Sequence, residues 1–285
     1  MTDLRTLVAE ELAMPVDPRV AAVAQAIAEK HGSASRAVLF YGSCLREREL
    51  EGRMLDFYLI VSDYRAAYAK RWLRVANRLI PPNVFYFEHD GLAAKYAVLS
   101  EGDFHRLNGP ETSSVSVWAR FAQPSRLVWA ADEKARDRAI DAVARAAPTL
   151  LAAAGRRGRE KPLDWWRRAF TLTYSAELRA ERPGRRASVV DADRERYVRF
   201  TEPAASAIER QPKASWRWRR IEGKTLSVLR LAKASATFAG GPDYIAWKIN
   251  RHAGTEIALK PWQRRHPLLA AISLLPKLLS SGAVR

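Results

Sequence analysis

The chain has 285 residues, with 48 Lys and Arg against 31 Asp and Glu, and therefore a formal net charge of +17 at pH 7. This length excludes a mini-protein and corresponds, at about 150 residues per domain, to about two domains. The single cysteine, Cys44, excludes an internal disulfide, which favours a reducing, cytoplasmic compartment. We expect no export signal, because Glu10 and Glu11 interrupt the apolar start of the chain, and no uncharged apolar run is long enough to cross a bilayer.

The first half of the chain, residues 1–154, predicts an α+β fold. Apolar residues recur at helical spacing from Pro18 to Lys30, after Asp17 as the N-cap. Two runs rich in aromatic and β-branched residues, AVLFY and MLDFYLIV, predict buried strands. In chain order we predict a helix at 18–30, strands at 37–41 and 54–61, a helix at 65–79, hairpin strands at 84–89 and 94–99, and a helix at 132–154.

The second half begins at a compact basic break, GRRGREK at 155–161, which we interpret as a domain boundary. Helices are predicted at 163–178 and 194–208. Residues 155–285 contain 28 basic and 12 acidic residues, whereas residues 1–154 contain 20 and 19. This imbalance indicates a polyanionic partner, either nucleic acid or an acidic membrane face.

The strongest chemical signal is a strand that ends in Tyr41-Gly42-Ser43, followed thirteen residues after Ser43 by Asp56 in the next strand. An ionised carboxylate in an apolar run is costly unless a cation or hydrogen bonds compensate it. A divalent metal that holds a nucleoside triphosphate would do so, with Gly42 admitting the phosphates and Ser43 donating a hydrogen bond. The alternative is a Gly-Ser turn beside an Asp56 that pairs with a buried arginine or caps a loop.

A Gly-Ser strand end followed by a strand with a carboxylate resembles the nucleotidyltransferase fold of β-type polymerases and tRNA nucleotidyltransferases. That superfamily usually has two acids as Asp-x-Asp, but here Tyr58 stands two positions after Asp56. A narrower resemblance is to the mitochondrial translocator assembly and maintenance family of phosphatidate cytidylyltransferases, which also has Gly-Ser and then Met-Leu-Asp-Phe. Its Tyr-Ser-Gly-Asp-Phe-Arg element resembles residues 174–179, with Ala176 and Glu177 replacing Gly and Asp.

Further stretches resemble the same family, and the likeness extends in patches from about residue 36 to 200. These stretches are Asp63, Lys95-Tyr96 with Ser100, Ala119-Arg120, and Gln123-Pro124. The resemblance implies an α+β, polymerase β-type mixed sheet with helices as the catalytic domain at 1–154. A mainly helical, basic domain at 155–285, with a membrane-facing C-terminal segment, would follow it.

The activity implied by the resemblance is CDP-diacylglycerol synthesis from CTP and phosphatidic acid with Mg²⁺ or Mn²⁺. The implied catalytic residues are Asp56, Lys95 and Glu177. The residues expected to bind the nucleotide are Tyr41, Gly42, Ser43, Lys95 and Ser175. The metal ligands would be Asp56 with Glu177, or with Glu88 if the predicted hairpin places it near Asp56. By contrast, Asp63 is predicted to cap a loop, Cys44 to be a small core or turn residue, and the five histidines show no metal-ligand spacing.

Two groups of tryptophans interleaved with cations in the second half predict a contact with an anionic membrane surface. The residues assigned to it are Trp216, Trp218, Arg219, Arg220, Trp247, Arg264 and Arg265. An apolar stripe in 266–279 suits a helix in the membrane interface. We therefore expect a peripheral protein on the inner membrane face.

The same aromatic and basic residues could also grip single-stranded RNA. One alternative function is therefore a nucleotidyltransferase that acts on RNA or tRNA, and another is an inactive module that binds lipid or RNA. The apolar tail favours lipid, so we expect no stable nucleic-acid partner.

Overall fold

The computed structural model describes residues 3–47, 50, 52–177, 189–237 and 260–261. Its helices are α1 (Leu4–Leu12), α2 (Pro18–His31), α3 (Ser43–Glu47), α4 (Tyr64–Ala67), α5 (Arg71–Leu79), α6 (Glu101–Asn108), α7 (Trp118–Phe121), α8 (Glu133–Ala144), α9 (Ala146–Ala154), α10 (Pro162–Ala176), α11 (Arg194–Ser206) and α12 (Trp216–Thr237). Its strands are β1 (Ser35–Tyr41), β2 (Met54–Val61), β3 (Asn83–His89), β4 (Leu92–Ser100) and β5 (Ser125–Ala130).

The five strands form one mixed sheet in the order β3-β4-β2-β1-β5. Strands β2 and β4 are parallel, and the other neighbouring strands are antiparallel. The predicted strands and hairpin are confirmed, as is the α+β class with a mainly helical C-terminal region. The sequence does not predict β5 or the helices α1, α3, α6, α7 and α12. The short β5 sequence is a strand because it pairs along the free edge of β1, which its local pattern does not reveal.

Two predicted helices are each divided. In the first, Asp63 caps α4 by accepting from the backbone N–H groups of Arg65 and Ala66, and extended backbone at Tyr68 then ends that helix before α5. In the second, the break between α8 and α9 falls at Arg145. Pro148 lies four residues after Ala144 and has no N–H for that carbonyl, so the α-helical ladder is interrupted there.

The sheet separates two apolar cores. Helix α2 packs on one face, where Ile27, Val38 and Phe57 belong to one buried apolar cluster. The helices α1 and α6 to α11 contribute to the core on the other face. This second core continues past the predicted boundary at 154, because Leu150 and Trp166 belong to the same buried group.

An ion pair also joins the two sides of that boundary. Arg196 of α11 contacts Glu11 of α1 with both Nη2 and Nε, the Nη2 contact being 2.9 Å. Both side chains are almost completely buried. Each carboxylate oxygen thus has a charged donor, as a buried acid requires.

Among the helices that the structure describes, none is both long enough and apolar enough to span a membrane. The membrane-facing segment predicted at 266–279 lies outside the described residues.

Candidate active site

One row of side chains crosses the sheet at its centre. The register pairs Tyr86 with Lys95, Lys95 with Asp56, and Asp56 with Tyr41. Directly paired residues project to the same face. The predicted residues Tyr41, Asp56 and Lys95 are therefore brought together by strand pairing alone.

Gly42 lies against the carboxylate of Asp56. Its φ is +97°, a backbone conformation that side-chain-bearing residues rarely adopt. A Cβ atom at this position would lie 2.9 Å from Asp56 Oδ2 and 3.3 Å from Asp56 Cβ. The backbone at residue 42 therefore packs directly against the carboxylate of Asp56, and a residue with a side chain would not fit there.

The other carboxylate oxygen of Asp56 is 2.8 Å from Lys95 Nζ. The two side chains are 18% and 27% exposed, respectively, so the pair is accessible from solvent although it belongs to a buried strand. Lys95 is therefore the compensating cation for the carboxylate within the apolar run of β2.

Beside this pair, Glu177 contacts two arginines. Its Oε1 lies 3.8 Å from Arg120 Nη1 and 3.8 Å from Arg230 Nη1. Glu177 is 5% exposed and directly follows α10, whereas Arg120 belongs to α7 and Arg230 to α12. We call Asp56, Lys95, Glu177, Arg120 and Arg230 the charged cluster. It contains three cations and two anions.

Burial and the charges of this cluster shift the pKa values of Arg120 and of two neighbouring tyrosines. Burial opposes the charge of Arg120, but the attraction of Glu177, and more weakly of Asp56, raises the pKa of Arg120 above its usual value. Burial raises the pKa of Tyr41, and the charge of Asp56 adds to the increase. Burial likewise raises the pKa of Tyr58. Both phenols therefore stay protonated and can donate hydrogen bonds near neutral pH.

Helix α12 reaches the site because Gly223 lets it approach the end of α10. A Cβ atom at Gly223 would overlap the carbonyl oxygen of Ala176, the residue before Glu177. This contact positions the next two turns of α12, which carry Arg230. Burial lowers the pKa of Arg230. Sequence reasoning missed Arg230, since its distance from Asp56 along the chain gives no local signal.

Polar contacts hold the same part of α12 to the segment before β3. Arg230 Nε donates to the carbonyl of Pro81 at 2.8 Å. Lys233 Nζ donates to the carbonyls of Ile80 and Pro82, the latter at 2.8 Å. Burial, together with the nearby Arg230, lowers the pKa of Lys233 to about 7.

The remaining predicted site residues are Glu88, Ser175 and Ser43. Glu88 is exposed and accepts a hydrogen bond of 2.8 Å from Tyr86, and strand β4 with Lys95 lies between it and β2. Ser175 Oγ donates to the carbonyl of Leu172 at 2.7 Å. Ser43 is the first residue of α3.

Two further residues, Asp63 and Cys44, are predicted to have structural roles. Asp63 is a helix cap, and the side chain of Cys44 is buried with Sγ 3.5 Å from the carbonyl oxygen of Met54. Both agree with the structural role that the sequence suggested for them.

Within the described residues, no group of three or more His, Cys, Asp or Glu side chains is arranged to hold a metal ion. Asp56 is the acid best suited to one, because its side chain is 18% exposed whereas Glu177 is 5% exposed. Glu177 instead neutralises two arginines. A single carboxylate fits Mg²⁺ that takes further ligands from phosphates and water.

The predicted membrane residues fall into three groups. Trp216 donates to the carbonyl of Ala153 at 2.8 Å, and Arg219 is only 1% exposed, so this arginine lies in the protein interior and not on a membrane-accessible surface. Trp218 and Arg220 are exposed. Three further predicted residues lie outside the described part of the chain: Trp247, Arg264 and Arg265.

Comparison with protein-family models gives no match for this chain. Comparison with curated proteins likewise gives no match. The site must therefore be interpreted from its own geometry and chemistry.

Proposed function

We propose that this chain is a phosphatidate cytidylyltransferase with a nucleotidyltransferase-like catalytic unit, which transfers CMP from CTP to phosphatidic acid and releases pyrophosphate. The observation that carries the proposal is the partly exposed pair of Asp56 and Lys95, which lies against the backbone of Gly42. One carboxylate oxygen faces the bare backbone of Gly42, while the other is paired with Lys95. A carboxylate, a lysine and a glycine backbone are groups that bind a metal-bound triphosphate.

The charge balance of the cluster supports a phosphate ligand. Lys95, Arg120 and Arg230 outnumber Asp56 and Glu177 by one positive charge. Phosphoryl transfer depends chiefly on positioning and on neutralising charge that develops on phosphate oxygens. A cationic excess at a partly exposed point of a buried site therefore suits a triphosphate better than a neutral substrate.

In the proposed reaction, Asp56 would hold Mg²⁺, and the metal would neutralise charge on the triphosphate. Lys95 would exchange its contact with Asp56 for a phosphate oxygen. Arg120 would add positive charge to the same side, held in place by Glu177. Tyr41 and Tyr58 would donate hydrogen bonds, because their hydroxyls remain protonated.

Two other features of the chain support the acceptor and the location. The resemblance to the cytidylyltransferase family supports CTP and phosphatidic acid. The exposed Trp218, 55% accessible, beside exposed Arg217 and Arg220 supports a peripheral site on an anionic membrane face.

The test is pyrophosphate release by the purified protein with Mg²⁺ and each of the four ribonucleoside triphosphates, in the presence of phosphatidic acid micelles or of RNA. We expect release with CTP that depends on phosphatidic acid. Asp56→Asn should abolish it, whereas the matched variant Asp63→Asn should not, because asparagine also caps helices and Asp63 lies away from the cluster.

Release that requires RNA would replace the acceptor while keeping Asp56 as the catalytic carboxylate. Absence of release with any nucleotide and either acceptor would contradict the enzymatic proposal as a whole. Equal loss in both aspartate variants would contradict the role of Asp56.

A further inference from the structure

Helix α5 presents an apolar face to solvent. Trp72 is 46% exposed, Val75 is 49% exposed and Leu79 is 71% exposed. Their spacing of three and seven residues places them on one side of the helix. Most large apolar side chains of a soluble protein are buried, so three exposed ones side by side mark an interaction surface.

Cations border this apolar face. Lys70, Arg71 and Arg78 are exposed, and no acidic side chain of the described residues forms an ion pair with any of them. Residues 64–87 contain five Lys or Arg and no Asp or Glu. Residues 64–87 are therefore strongly basic, although residues 1–154 as a whole have a near-neutral net charge.

The opposite side of α5 is fixed to the sheet, so the apolar face cannot turn inward. Asn77 is completely buried and donates to the carbonyl of Val98 in β4 at 3.0 Å. Its side-chain oxygen accepts from the backbone N–H of Asn83, whose own amide donates to the carbonyl of Leu73 at 3.0 Å. These hydrogen bonds set the rotation of the helix.

We infer that the outer face of α5, formed by Lys70, Arg71, Trp72, Val75, Arg78 and Leu79, docks onto an anionic lipid bilayer. The apolar side chains enter the interfacial layer, tryptophan prefers that layer, and the cations meet lipid phosphates. The charge pattern favours an anionic bilayer over other partners of this face. Nucleic acid would leave Val75 and Leu79 uncovered, and the apolar chain segment 262–285 contains no acid to complement the arginines.

The position of α5 connects this surface with the charged cluster. The chain leaves α5 through Ile80, Pro81 and Pro82, whose carbonyls accept from Arg230 and Lys233 of α12. Arg230 in turn contacts Glu177. The inference extends the proposed function by naming a membrane contact in the first half of the chain, but bilayer docking does not require catalysis.

The experiment is co-sedimentation of the full chain, without nucleotide, with phosphatidylcholine vesicles that contain or lack phosphatidylglycerol. The double variant Trp72→Ser/Leu79→Ser should bind the anionic vesicles at least about tenfold more weakly, because two apolar side chains no longer enter the interface. The matched control Met14→Ser/Val198→Ser also removes two apolar side chains that are about half exposed, and it should bind like the original protein.

A second variant, Arg71→Gln/Arg78→Gln, separates charge from apolar contact. We expect about a fivefold loss per arginine on anionic vesicles at low salt and little change on neutral ones. Unchanged binding in both α5 variants would overturn the inference. A change from dimer to monomer in the serine variant, with vesicle binding retained, would also overturn it by assigning the face to a second copy.

Failure of the proposed function is a distinct result. If pyrophosphate release is absent but vesicle binding depends on α5, the membrane surface stands and the enzymatic proposal falls. If pyrophosphate release occurs but vesicle binding does not depend on α5, the enzymatic proposal stands and the membrane surface on α5 falls.

Discussion

Two neighbouring rows of side chains, one residue apart in the same strands, project to opposite faces of the sheet. The first contains Tyr41, Asp56 and Lys95, and the second contains Phe57 and Tyr96 in the same register. The first row is polar, and its Asp56–Lys95 pair is partly accessible and interacts electrostatically with Arg120 of α7. The second is aromatic and buried against α2.

The difference shows how one sheet supports both stability and chemistry. The aromatic row is stabilised by burial and by ring contacts, such as the 5.2 Å separation of the Phe40 and Phe57 centroids. The polar row must compensate each charge, and Lys95 does so for Asp56. Substitutions in the two rows should therefore affect different measurements.

The largest expected effect is on turnover, in Asp56→Asn. If Asp56 holds the metal, pyrophosphate release should fall by at least about 10³-fold, equivalent to about 4 kcal/mol in the activation barrier. The melting temperature should change little, because Lys95 is partly exposed and can be solvated. Retained turnover in a folded Asp56→Asn protein would remove the functional distinction between the rows.

Phe57→Ala tests the aromatic row. Deletion of a completely buried ring should lower the free energy of unfolding by about 3–5 kcal/mol, as measured by denaturant titration. Activity per folded molecule should be preserved, since Phe57 faces away from the charged cluster. A loss of turnover without a loss of stability would show that the two faces are not separate.

Gly42→Ala should have an intermediate effect on both measurements. The positive φ and the overlap with Asp56 together should cost about 1–3 kcal/mol of stability and reduce turnover by moving the carboxylate. Gly91→Ala is the matched control, because Gly91 also has a positive φ of 74° but nothing within 4 Å of its added Cβ. Equal effects of the two variants on turnover would show that proximity to Asp56 is unimportant.

The smallest expected effect is a pH dependence on the aromatic side. His31 lies 3.2 Å from the Tyr96 hydroxyl, and burial lowers the pKa of His31 below its usual value of 6.5. The unfolded chain therefore binds the proton more readily, so the free energy of unfolding should fall as pH drops below 6.5. His31→Gln should weaken this pH dependence in denaturant titrations from pH 5 to 8, and an identical slope would contradict it.

Much of the fold follows from local patterns. Runs rich in aromatic and β-branched residues predict β1 and β2, two such runs around the turn Asp90-Gly91 predict the β3–β4 hairpin, and Asp17 with Pro18 predicts the start of α2. These signals act over a few residues, within reach of backbone hydrogen bonding and strand periodicity. The helix over 65–79 was too long, because the sequence does not show that Tyr68 turns into the core.

Part of the candidate site was also visible in the sequence. Gly42 and Asp56 stood out because a glycine and an acid are unusual in apolar strand surroundings. The roles of Arg230 and of the buried Arg219 were not visible, since both depend on how α12 packs against segments more than a hundred residues away. The sequence also does not reveal the exposed face of α5. Its pattern predicts an amphipathic helix, but the packing of the protein decides which side of that helix is covered.

By itself, then, the sequence determined four of the five strands, the start of α2 and the presence of an acid near a glycine turn, because these follow from side-chain type and local pattern. Only the tertiary structure decided which cations meet that acid, which arginines are buried and which apolar helix face remains in water. Such choices depend on packing between distant segments, where burial and Coulomb energy are set by neighbours that the local sequence does not specify.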